Sequence, residues 1–241
     1  MLNMQRVTAI DSVVLQVITG DADLYMAKKI EAILGGQLEI LKCSPIRPTK
    51  EQRKEWRDVT GRTLPKTAAF VALLYHPRGQ SIPLVRYGNG KGLEVHFHGL
   101  QQYERNELVL NDGAIQRLAI LEEFLSVWDE PLRLSRLDRC IDLIGLKWCD
   151  YSNTRKHRTL CKREGTALFE KTTVYYQPPK PKYTKVTAYD KRRTNLLSYP
   201  LTRIEFSFKG QYWRSGEAIN AGELIEAATL KTDAYIKRLF R

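Results

Sequence analysis

The stretch that decides the fold class is Ala68–Gly99, AAFVALLYHPRGQSIPLVRYGNGKGLEVHFHG. It holds three runs rich in apolar and β-branched residues, Ala68–Tyr75, Ile82–Tyr87 and Leu93–His98. Pro77-Arg78-Gly79 and Gly88-Asn89-Gly90 separate them, and both have turn chemistry. Runs this short, joined by turns this tight, can only fold back on one another, so the segment predicts an antiparallel meander.

Upstream, residues 7–18 (VTAIDSVVLQVI) are β-branched and predict a strand. Asp21–Leu34 predicts a helix with Leu24, Ala27, Ile30 and Leu34 apolar, stopped by Gly35-Gly36. Leu38–Leu64 is polar and proline-punctuated, with one helix predicted over Lys50–Val59 behind Thr49 as N-cap. Downstream, Asn111 or Asp112 caps a helix running to Trp128, with Ile115, Leu118, Leu121, Leu125 and Trp128 as its apolar face. Pro131 breaks it. Strands follow at Arg136–Ile144, Val174–Gln177, Lys185–Tyr189 and Thr202–Lys209, and Ala221–Leu239 predicts a closing helix. The order predicts an α+β fold: a central, mainly antiparallel sheet with helices packed on it. A single domain over residues 1–241 is expected, with a C-terminal helical segment at about 215–241.

The 241 residues carry 39 Lys plus Arg against 27 Asp plus Glu, a formal charge of +12. A hydrophobic content of 43% excludes general disorder, and no apolar run approaches the ~18 residues of a membrane span. Asp11 interrupts the region where a secretory signal would need an apolar core, so a soluble cytoplasmic protein is expected. Cys43, Cys140, Cys149 and Cys161 include no CxxC pair, which disfavours a disulfide framework or a structural zinc. Nine of the twelve net positive charges fall in Arg155–Arg193, among Tyr175, Tyr176, Tyr183 and Tyr189. Cations interleaved with rings suit a nucleic acid, through counterion release and base stacking, although a solvated basic face has the same composition.

Three strands carry chemistry. On Leu93–Gly99, residues two apart share a face, which aligns Glu94, His96 and His98. Two imidazoles and a carboxylate are apt ligands for a divalent ion, and a polar edge strand is the alternative. On Arg136–Asp142, Asp138 and Asp142 share a face with Arg136 and Cys140, so Asp138 is a metal ligand or a partner of Arg136. Tyr189-Asp190-Lys191 is followed by Arg203-Ile204-Glu205. Here Tyr189 is a candidate nucleophile assisted by Lys191, and Glu205 is a metal ligand, a base or the partner of Arg203. Taken together these are the parts of a metal-assisted tyrosine nucleophile acting on DNA, which leaves a 5′-phosphotyrosyl bond and a free 3′-hydroxyl.

The succession Glu94-Val95-His96-Phe97-His98-Gly99, Arg136-Leu137-Asp138 with Asp142, Tyr189-Asp190-Lys191 and Arg203-Ile204-Glu205 resembles the replication initiation factor family. These are rolling-circle initiators of small plasmids and filamentous phages, related to some conjugative relaxases. The resemblance spans about residues 10–210 and implies an HUH-endonuclease-like fold. It implies Tyr189 as nucleophile, with Tyr183, Tyr176 and Tyr175 as the nearby alternatives. It implies a metal site on the first strand and Asp138, with Glu205, binding Mg²⁺ or Mn²⁺. Many members have His-x-Glu before Ser-Gly, whereas here Glu94-x-His96 reverses the order or His96-x-His98 is displaced by two residues; His96 belongs to both alignments.

The expected partner is single-stranded or hairpin DNA at a replication origin, held by Lys180, Lys182, Lys185, Arg192 and Arg193. No GxxxxGK[ST] loop is present, so a host helicase and DNA polymerase are expected to use the 3′-hydroxyl, and no membrane is expected. A relaxase acting at a transfer origin, or a non-catalytic nucleic-acid-binding protein, are the alternatives.

Overall fold

In the computed structural model, the described residues are 5–18, 23–44, 47–60, 63–88, 92–148, 160–164, 173–176, 184–213 and 221–239. They form β1 (Gln5–Ile18), α1 (Asp23–Leu34), β2 (Gln37–Cys43), α2 (Lys50–Thr60), β3 (Ala68–Tyr75), β4 (Ser81–Tyr87) and β5 (Gly92–His98). Next come α3 (Asp112–Val127), β6 (Leu132–Ile144), β7 (Leu160–Glu164), β8 (Thr173–Tyr176) and β9 (Thr184–Asp190). The chain closes with α4 (Lys191–Asn195), β10 (Leu201–Lys209), a 3₁₀ turn (Gly210–Trp213) and α5 (Ala221–Leu239). The fold is α+β, with a mainly antiparallel sheet and helices packed on it, as the alternation of elements predicts.

The chain divides into two compact units, with parts of β1, α3 and β6 assigned to each. The first comprises Met1–Ser12, Gly99–Ala114 and Arg136–Ser215; the second comprises Val13–His98, Ile115–Ser135 and Gly216–Arg241.

The second unit contains the meander, in the order β2-β3-β4-β5-β1. β3 is covered on both faces, with Val71, Ala72, Leu73 and Leu74 fully buried. On one face Trp56 of α2 closes a cluster with Leu41, Val71, Leu73 and Val85. α1 packs against β2, β3 and β5, and α3 reaches β5 through Phe124, whose ring lies 5.9 Å from that of Phe97. Thr49 caps α2 reciprocally: its Oγ1 accepts from Gln52 N (3.2 Å) while its own N–H donates to Gln52 Oε1 (2.9 Å). At Gly92 a Cβ would stand 2.0 Å from the carbonyl oxygen of Val17, so the close approach of β5 to β1 there requires glycine.

Two strands depart from the expected order. β2 lies in a segment whose composition reads as polar loop, because as an edge strand it buries only Leu41 among QLEILKC. β7 pairs with β8 although LCKRE shows no alternation. Of the stripe predicted for α3, Leu121 and Trp128, the latter just past the helix, are buried; Ala114, Ile120 and Phe124 are buried with them, whereas Ile115 is 48% exposed.

In the first unit the order is β1-β6-β10-β9-β8-β7, antiparallel from β6 onward. Antiparallel register places cross-strand partners on one face, so Arg203 of β10 stands opposite both Asp142 of β6 and Tyr189 of β9. Glu205 likewise stands between Cys140 and Thr187, and Ser207 between Asp138 and Lys185. One face of this half-sheet is therefore polar, which is unusual for residues as buried as Asp138 (1% exposed), Asp142 (0%) and Arg203 (0%).

Arg203 holds that face together. Its Nε and Nη2 donate to the two oxygens of Asp142 at 2.6 and 2.7 Å, Nη1 to Asp11 Oδ1 at 2.6 Å and Nη2 to the Gln101 carbonyl at 2.7 Å. Removing the guanidinium in Arg203→Met leaves two buried carboxylates without their cation. The expected loss is about 3–5 kcal/mol, because an uncompensated buried charge outweighs any gain in apolar packing. Urea unfolding of the variant reads it directly, and an unchanged midpoint would refute the assignment.

Candidate active site

Tyr189 and Glu205 come together on the polar face of the first unit. Tyr189 lies at the penultimate position of β9, and Glu205 lies two residues beyond its cross-strand partner Arg203. The Tyr189 hydroxyl donates to Glu205 Oε2 at 3.3 Å. Burial pushes the Tyr189 phenol well above its ordinary pKa; the Arg203 charge opposes that, and Glu205 adds to it. Burial also raises the Glu205 carboxyl, reinforced by Asp138 and Asp11 and opposed by Arg203 and Arg136. A carboxylate of raised pKa facing a phenol is a better proton acceptor than an ordinary one. Of the roles open to Glu205, the ion pair with Arg203 is not the one formed, since Arg203 gives its donors to Asp11, Asp142 and Gln101.

Asp138 is clasped by Arg136, with Nε to Oδ1 at 2.8 Å and Nη2 to Oδ2 at 2.5 Å. Ser207 Oγ lies 3.5 Å from the same guanidinium. Lys191 is buried at the start of α4 and donates to Gln102 Oε1 at 3.0 Å. Its pKa is lowered to about 8, chiefly by burial and then by the Arg203 charge, with Asp11 and Asp142 opposing. Lys185, Arg192 and Arg193 are exposed, whereas Lys180 and Lys182, with Tyr183 and most of the basic stretch, lie outside the described residues.

The second unit carries the other donors. Along β5, Val95 and Phe97 are buried and Glu94, His96 and His98 share the opposite face, as the alternation predicts. His96 is the middle of a chain: its Nε2 lies 3.1 Å from Glu94 Oε2 and its Nδ1 lies 3.3 Å from His98 Nε2. Ser135 Oγ donates to the other Glu94 oxygen at 2.6 Å. With Nε2–H of His96 donating to Glu94, His96 Nδ1 accepts from Nε2–H of His98. Two neutral imidazoles and a carboxylate are the donor chemistry a divalent ion takes. As placed they bond to one another, and among the described residues no three His, Cys, Asp or Glu side chains are positioned to hold an ion. Binding one therefore requires these hydrogen bonds to be exchanged for coordination.

Several site residues lie outside the motifs. Gln101, Gln102 and Tyr103 follow directly on β5, and the Tyr103 hydroxyl accepts from Gln101 Nε2 (2.8 Å) and donates to Asp142 Oδ2 (2.9 Å). Their signal in the sequence is faint: a polar pair and a ring just past Gly99, whose φ of +67° turns the chain. Asp11 is more visible, as the single acid in the apolar run of β1.

No protein-family model matches the chain. No curated protein matches it either. Among solved structures five chains are similar, among them a rolling circle replication initiator protein from Geobacillus stearothermophilus. The likeness to that protein covers 86% of this chain and 76% of that one at 13% identity, with a TM-score of 0.49.

The depressed pKa of Lys191 has a consequence for stability. Between about pH 8 and the ordinary lysine value of 10.5, the unfolded chain binds a proton at this position that the folded chain does not. Stability contributed by this group therefore rises with pH across that window. Comparing urea midpoints of the wild type and Lys191→Met through the same range isolates the effect. The midpoint difference should shift in favour of the wild type as pH rises, and a pH-independent difference would place Lys191 in contact with solvent.

Proposed function

We infer that the protein nicks and rejoins a DNA strand through a tyrosine nucleophile, the reaction that starts rolling-circle replication at an origin. The observation that carries this reading is the Tyr189–Glu205 hydrogen bond on a polar sheet face where Asp11, Asp138 and Asp142 are taken up in ion pairs with Arg136 and Arg203. The order of motifs along the chain supports it. So does the concentration of positive charge in the segment that ends at Arg193.

In the proposed reaction the Tyr189 oxygen attacks phosphorus in line, and Glu205 takes the phenol proton as the new bond forms. The bond to the 3′ oxygen breaks, that oxygen takes a proton from water, and the 5′ phosphate stays on Tyr189. The reverse reaction, with the 3′-hydroxyl as nucleophile, reseals the strand. Arg203 offsets part of the cost of a phenolate in a buried site by standing across the strand pair from Tyr189. A divalent ion, Mg²⁺ or Mn²⁺, is proposed to be held by Glu94, His96 and His98; when bound it supplies Lewis-acid polarisation of a phosphate. The 3′-hydroxyl would then prime a DNA polymerase, with a helicase opening the duplex.

The test is a denaturation-resistant adduct between the full chain and labelled single-stranded DNA in the presence of Mn²⁺. Mass spectrometry is expected to place the nucleotide on Tyr189, and Tyr189→Phe is expected to abolish the adduct. Glu205→Gln should keep the adduct but slow its formation by about 10²–10⁴-fold, the usual worth of a positioned base. An undiminished adduct in Tyr189→Phe would move the nucleophile to another tyrosine, and no adduct with any DNA would leave a binding protein.

The metal is tested separately from turnover. Manganese bound by the wild type is read by loss of the free-ion signal in electron paramagnetic resonance. His96→Ala should bind markedly less, since His96 is the middle donor of the three. Equal uptake by both proteins would place the ion elsewhere.

A further inference from the structure

At one end of the first unit's sheet is a pocket of about 470 Å³ walled by Arg105, Lys147, Arg192 and Arg193. These four cations come from three separate stretches. Arg105 follows β5, Lys147 lies just past β6, and Arg192 and Arg193 belong to α4. Asp190 and Leu201 also line it, so it opens where β9 ends and β10 begins.

The one carboxylate among the described lining residues is already engaged, because Asp190 Oδ1 accepts from Arg193 N at 3.3 Å and Oδ2 lies 3.7 Å from Arg193 Nε. Arg105, Lys147 and Arg192 form no ion pair with any described residue. Trp148, Leu197 and Leu201 make an apolar floor, all buried. Like charges gathered over such a floor repel more strongly than in open water, and a polyanion relieves that repulsion while releasing its own counterions. A phosphate diester carries the matching charge, and an arginine or lysine binds it without reading a base.

The chain places this pocket beside the candidate nucleophile. Tyr189 immediately precedes Asp190, and Leu201 lies two residues from Arg203, the cross-strand partner of Tyr189, or about 7 Å along the strand. We propose that the pocket holds a backbone phosphate of the DNA flanking the strand presented to Tyr189, a contact that sets the register of the strand without taking part in the chemistry. This rests on the DNA-nicking reading and adds Arg105, Lys147 and the pocket to it.

The test is fluorescence anisotropy of labelled single-stranded DNA with the full chain over a series of salt concentrations. Arg105→Gln and Lys147→Gln are each expected to weaken binding and to reduce the slope of log affinity against log salt by up to about 0.7, the contribution of the one phosphate they hold together. Lys28→Gln, on α1 of the second unit, should change neither. Both pocket residues are exposed, and circular dichroism melts check that their variants stay folded. Unchanged slopes in both pocket variants, with a steep slope in the wild type, overturn the proposal while the covalent adduct at Tyr189 continues to report on nicking. Saturable binding of inorganic phosphate by calorimetry, lost in Lys147→Gln while the DNA slope is unchanged, overturns the DNA assignment in favour of a free phosphate.

Discussion

The polar half of this fold depends on one fully buried guanidinium. Arg203 makes four hydrogen bonds, to two carboxylates and a carbonyl, and none of its side chain reaches solvent. A buried ion network of this kind rarely adds net stability over a well-packed apolar core, because desolvation consumes most of the Coulombic gain. Its effect is to specify position. The planar fork matches Asp142 in two parallel bonds, and only one register of β10 on β6 allows that match. The same register sets Tyr189 opposite Arg203 and leaves Glu205 within reach of the Tyr189 hydroxyl. The candidate nucleophile is thus placed by an interaction in which it takes no direct part.

That placement creates an electrostatic conflict with a chemical use. Burial and the nearby carboxylates raise the pKa of Tyr189, so the free phenolate is scarce at neutral pH, and Arg203 counters only part of this. A nucleophile in such surroundings gains most from losing its proton during attack rather than before it. Glu205 has the location for that step, and its own raised pKa moves it toward the range where a carboxylate accepts a proton effectively. The incoming phosphate would alter the balance too, as its negative charge adds to those of Asp11, Asp138 and Asp142. Arg136 and Arg203 are the fixed cations on that face, and each already has carboxylate partners.

Much of the architecture was legible from local sequence, and its failures have a common cause. Strands with one apolar face, or turns that only glycine and proline make well, signal themselves; the meander from Ala68 to His98 does both. β2 buries only Leu41, and β7 is defined by its backbone pairing with β8, so composition hides both. In the site, period-two alternation placed Glu94, His96 and His98 on one face and Asp138 with Asp142 on another, because that rule needs only the strand. It could not tell which acid pairs with which base. Arg203 passes over Glu205, two residues away, for Asp11, which lies 192 positions earlier in the chain. Only the pairing of whole strands decides such a choice.

Charge shows the same division between what a chain lists and what a fold assembles. The sequence concentrates its cations in Arg155–Arg193, and a reading along the chain looks for the DNA contact there. Among the described residues, the pocket at the end of β9 takes the cations Arg192 and Arg193 from that stretch and draws Arg105 and Lys147 from regions of unremarked charge. A linear excess is enough for non-specific attraction, which depends on net charge within a Debye length of the surface. Holding one phosphate in a fixed place needs donors converging from several directions, and neighbours on one strand cannot supply that because they alternate between faces. A nicking reaction must select one phosphodiester among many chemically identical ones, so it is the convergent set rather than the dense run that is suited to choosing it.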